Sequence, residues 1–130
     1  MPELILKQLQ YENDTWKRLL AFMMDENVHL KNKLSEHLQF NCSADQLEDA
    51  EEIQGRFIKE DERISLLRND VAEMEKILVR ELFEDGKIAR LVENKREELR
   101  NNIINAENQF SKLKKDFAGF LTKSPGDNFN

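Results

Sequence analysis

The chain has 130 residues, enough for one domain with its own core. With 35% charged residues, 39% apolar residues, four glycines and two prolines, its composition suits long helices and leaves little material for turns. A net charge of −6 disfavours adhesion to nucleic acid or an anionic membrane, and the single cysteine, Cys42, cannot form an internal disulfide.

The N-terminus MPELILKQLQ lacks a hydrophobic stretch followed by a small-residue cleavage site. No apolar run approaches the ~20 residues of a membrane span. A cytoplasmic chain is expected. The first helix is predicted over about 3–40, with Pro2 suited to its first turn. Its apolar stripe has a spacing of seven: Leu9, Trp16, Met23, Leu30 and His37, flanked by Leu6, Leu20 and Leu34. Asn13 and Asn27 interrupt the flanking stripe, as polar residues do where they fix helix register or partner number.

The segment NCSADQL, 41–47, breaks the pattern. Asn41 suits a helix end, and Ser43 to Gln46 has the form of a capping box. Cys42 reads as a loop residue. The second helix is predicted over about 44–84, with Ala50, Phe57, Ile64, Val71 and Leu78 inward and Ile53, Leu67 and Met74 beside them. Glu60 occupies a flanking core position, opposite Phe110. FEDGK, 83–87, reads as a tight reversal because Asp85-Gly86 supplies a residue tolerant of positive φ. The third helix is predicted over about 87–121, with Val92, Leu99, Ala106, Leu113 and Phe120 inward and Ile103, Phe110 and Phe117 flanking them. Residues 122–130 read as a tail beyond the 1–121 bundle.

Residues that face each other across an antiparallel hairpin have position numbers with a constant sum. The inner stripes of helices 1 and 2 pair at a sum of 87, placing the turn between Ser43 and Ala44; those of helices 2 and 3 pair at 170, placing it at Asp85. Turn chemistry and periodicity thus agree. They predict an all-α fold, an up-down-up antiparallel three-helix bundle of long coiled-coil-like helices.

Glu26 and His29, within MDENVH, have the Glu-x-x-His spacing of di-metal carboxylate proteins. Only one such pair exists, and His37 lies about 12 Å from His29 along the axis, beyond a shared ion. A metal site would require a second chain, with Glu60 or Glu81 completing it. The two are read instead as polar residues on an ordinary helix, with no metal and no cofactor expected. His37 reads as a partly exposed residue closing the last core layer. Lys112, Lys114 and Lys115 cluster, but acidic neighbours such as Asp116 interleave with the basic residues, so nucleic-acid binding is not expected.

Apolar residues remain outside the stripes, chiefly Ile5, Leu19, Phe22, Met24 and Phe40 on helix 1, with Ile58, Ile77, Phe83, Leu91 and Ile104 on the other two. They predict self-association as a homodimer, with the five helix-1 residues at the interface. The function expected is that of a non-catalytic scaffold or adaptor, with a further protein partner as one possibility.

The stretches WKRLLAFMMDENVHLKNKLSEHL (16–38) and IQGRFIKEDERISLLRNDV (53–71) resemble a family of short, uncharacterised bacterial helical proteins, with a Trp-containing first helix and a charged second one. The likeness spans about a third of the chain. It implies a bacterial cytoplasmic origin. The family has no assigned activity, so it implies no functional residue here.

Overall fold

An apolar residue at two of every seven positions keeps one seam of a helix turned toward its neighbours over many turns, and the chain folds along those seams. In the computed structural model, which describes residues 3–40, 43–81 and 89–123, three helices result: α1 over Glu3–Phe40, α2 over Leu47–Glu81 and α3 over Ala89–Thr122. A 3-10 turn, Ala44–Gln46, leads into α2. No strand occurs among the described residues.

Among the described residues every buried hydrophobic side chain belongs to an inner or flanking stripe of the three helices, and together they form one core cluster. Leu9 and Leu30 are the inner-stripe members that remain half-buried. Small residues sit where interdigitation needs them: Ala50 and Ala106 are fully covered, and Phe57 packs edge-on against Phe117 with centroids 5.2 Å apart. His37 is buried rather than partly exposed, because its ring lies edge-to-face on Phe120, centroids 5.1 Å apart.

Contacts between α1 and α2 pair rising with falling position numbers. Asn13 Nδ2 donates to the Val71 carbonyl and Asn27 Nδ2 to that of Phe57, each at 3.1 Å. Between α1 and α3 the numbers rise together, from Glu12 with Arg96 through Glu26 with Lys114 to His37 with Phe120.

The capping box differs in one respect from expectation. Gln46 Oε1 accepts from the Ser43 backbone N–H at 3.4 Å, but the turn that follows Ser43 is 3-10 and the α-helix begins at Leu47. The Gln46 amide also donates to the carbonyl of Lys123, tying this turn to the end of α3. The Asp85-Gly86 reversal, Cys42 and the tail beyond 123 lie outside the described residues. None of the described helices is long and apolar enough to cross a membrane.

Candidate functional site

Polar chemistry inside the bundle is concentrated at the flanking stripe. Asn13 and Asn27 are two heptads apart on α1, and both are buried. Position numbers put Asn13 level with Met74 and Arg96, and Asn27 level with Glu60 and Phe110. Two polar layers therefore interrupt the core, separated by the apolar layer of Leu20, Leu67 and Ile103.

In the first layer Arg96 replaces the apolar residue that the stripe of α3 calls for. Its Nη1 donates to Glu12 at 2.9 Å, and Arg100 Nη2 reaches the other oxygen of the same carboxylate at 2.7 Å. Glu12 thus clamps α3 at two points one turn apart. In the second layer the Asn27 amide spans α2, donating to the Phe57 carbonyl and to Asp61 Oδ1 at 2.6 Å. Lys31 holds the other oxygen of Asp61. Glu60 is 1% exposed, and Arg63 donates to its Oε2 at 2.5 Å while Oε1 has no hydrogen-bond partner among the described residues. Burial pushes the Glu60 carboxyl above its ordinary value, against the opposing pull of Arg63.

The Glu-x-x-His residues do not converge. Glu26 pairs with Lys114 Nζ at 3.0 Å, and that ammonium also lies 4.9 Å from the centre of the Phe110 ring. His29 is exposed on the outer surface. No group of three His, Cys, Asp or Glu side chains with metal-holding geometry occurs among the described residues. In this arrangement Glu26 serves as a bridge between α1 and α3.

The five α1 residues expected at a dimer seam divide. Leu19 and Met24 are half-buried against the chain's own core. Ile5, Phe22 and Phe40 are exposed, but roughly 25 Å of helix axis separates each from the next. Of the other surplus residues, Ile77 packs half-buried on the core while Ile58 and Ile104 remain exposed.

The Glu12 clamp and the Asn27–Asp61–Lys31 chain are absent from the sequence reading, although a signal for the first exists. Arg96 stands seven before Ile103, where the stripe requires an apolar side chain, and a carboxylate beside the facing seam was the partner to seek. No family model, curated protein or solved structure matches the chain.

Proposed function

We propose that the chain is a non-catalytic structural module: an up-down-up antiparallel three-helix bundle that associates with a second copy of itself and acts as a scaffold or adaptor in the cytoplasm. The observation that carries this reading is the contrast between interior and surface. The inward stripes are consumed by the chain's own core, yet Phe22 and Leu66 remain 64% and 65% exposed in mid-helix. Large apolar side chains left in water at such positions favour association. The interior polar groups support the same reading, because Asn13, Asn27 and Glu12 bond across helices and so specify register. The basic residues of α3 are engaged or interleaved with acids, as in the Lys114–Glu26 and Arg96–Glu12 pairs, which favours a protein partner over nucleic acid. Multi-angle light scattering at micromolar concentration tests the proposal. The expected mass is about twice the 15.4 kDa of the chain, and a monomer refutes it.

A further inference from the structure

The seam between α2 and α3 carries two grooves of opposite charge. Arg56, Lys59, Arg63 and Lys112 line one of about 160 Å³, in which the only carboxylate is the buried Glu60. Asp70, Glu73 and Glu98 line the other, of about 280 Å³, with Lys95 as the counter-charge. The first groove brings Lys59 of α2 beside Lys112 of α3, and the second brings Glu73 beside Glu98. Halfway between them on α2 is Leu66, seven residues from both Lys59 and Glu73, and halfway between them on α3 is Asn105, seven from both Glu98 and Lys112. Both midpoint residues are exposed.

The outer stripe of α2 reads Glu52, Lys59, Leu66, Glu73, Arg80, so that reversing its direction exchanges every charge for its opposite about Leu66. The outer stripe of α3 does the same about Asn105, with Glu98 mirrored by Lys112. Leu66 and Asn105 also lie at the same height, because facing positions of α2 and α3 add up to about 170. A single two-fold axis across the bundle therefore satisfies both helices at once. All eight of these side chains are exposed, and among the described residues Glu52, Lys59, Glu98 and Lys112 have no ion-pair partner in their own chain.

We infer that the α2/α3 face binds a second copy of this chain, antiparallel and isologous. Lys59 of each copy meets Glu73 of the other, Lys112 meets Glu98, Glu52 meets Arg80, and the two Leu66 side chains pack together on the axis. The inference rests on the proposed self-association and supplies its face. From Glu52 to Arg80 the stripe runs roughly 42 Å, and two helices side by side are about 20 Å wide. That footprint is close to the ~800 Å² per partner of a stable interface. Charge alternation sets orientation and register, since a parallel arrangement or a slip of one heptad brings like charges together.

A charge-swap experiment tests the face. A chain with Lys59→Glu and Lys112→Glu has two acidic ends, and a chain with Glu73→Lys and Glu98→Lys has two basic ends. Each alone is expected to dimerise roughly 100-fold more weakly. Mixing the two is expected to restore a dimer, containing one of each, which also shows that both variants are folded. In a Cys42→Ser background, Leu66→Cys is expected to form a symmetric disulfide under mild oxidation. Dimers that persist in both separate variants, or a mixture that stays monomeric, overturn the face. Loss of the dimer on Phe22→Glu, with both charge variants still dimeric, moves the seam to α1. A monomeric wild-type chain defeats the self-association reading itself, a result distinct from the others.

Discussion

The side-chain amide of Asn27 donates across the α1/α2 seam to the backbone carbonyl of Phe57, 30 residues away, and to the carboxylate of Asp61 one turn further on. One residue thereby fixes the axial position of one helix against the next, since a slide of α1 by a single turn removes both bonds. Its Oδ1 is buried without a hydrogen-bond partner among the described residues, so the device also costs stability. Asn27→Ala is expected to lower stability by about 1–2 kcal/mol, through the lost bonds and the space left behind. Asn27→Leu is expected to be neutral or stabilising while loosening register. Urea denaturation at fixed protein concentration measures the first effect. Amide exchange along α1 measures the second, and equal protection in Asn27→Leu and wild type would refute the register role.

Glu60 makes stability depend on pH in a calculable direction. Burial raises its carboxyl above the ordinary 4.5 in the folded chain, so the folded state holds its proton over an interval where the unfolded state has released it. Stability is therefore greatest, as far as this group is concerned, below 4.5, and falls as pH rises through that interval to the raised folded value. Glu60→Gln removes this dependence. At pH 7 it is expected to stabilise the fold by about 1 kcal/mol, the gain being limited by loss of the Arg63 pair. Denaturation of both proteins at pH 4 and pH 7 checks it, and a variant less stable than wild type at pH 7 refutes the prediction.

The hydrophobic stripes were legible in the sequence because burial repeats with a period that a helix cannot disguise: each inner stripe, from Leu9 on α1 to Phe120 on α3, recurs at sevens. Glu60, Asn13 and Asn27 were legible for the converse reason, as polar residues at positions that the period assigns to the core. What escaped reading depends on side chains reaching sideways between helices. Glu12 and Arg100 sit on the margins of their seams, where dozens of charged residues offer equivalent pairings, and only the relative rotation of α1 and α3 selects among them. The 3-10 start of α2 escaped for a similar reason. A capping box specifies which backbone groups are satisfied and leaves the pitch of the first turn open.

Phe57 is the largest side chain at its level, fully buried and edge-on to Phe117 with an interplanar angle of 86°. Phe57→Ala is expected to cost about 3–5 kcal/mol, whereas Phe57→Leu retains most of the volume and costs less. A double-mutant cycle with Phe117→Leu should return a coupling of about 0.5–1.5 kcal/mol for the ring pair. A coupling of zero would show that the two rings contribute only by area.

Glu26 and His29 separate the structural proposal from a metal-dependent one. Protein purified without chelators is expected to hold less than stoichiometric transition metal, and His29→Ala is expected to change stability by less than about 0.5 kcal/mol, as for an exposed surface residue. Elemental analysis that finds about one tightly held metal per chain, lost on His29→Ala, would reverse the choice. Glu26→Gln should act differently from His29→Ala, because it removes the partner of Lys114 and weakens an α1/α3 bridge.

The Glu12 clamp tests how a charge inside the seam is tolerated. Arg96 stands on the flanking stripe of α3 with its side chain 24% exposed, and its Nε is buried without a hydrogen-bond partner among the described residues, so its charge relies on Glu12. Glu12→Ala leaves that guanidinium poorly compensated and also frees Arg100, and it is expected to cost about 1–3 kcal/mol. Arg96→Leu instead fills the stripe with the apolar side chain that its spacing calls for, leaving Glu12 with Arg100, and is expected to be neutral or stabilising by about 1 kcal/mol. The combination is the decisive measurement. If Glu12→Ala is costly because it strands Arg96, then introducing Glu12→Ala into the Arg96→Leu background should cost only the half-buried Arg100 pair, less than about 1 kcal/mol. A penalty for Glu12→Ala that is the same in both backgrounds would mean that Glu12 and Arg96 act independently, and that the polar layer is not a unit.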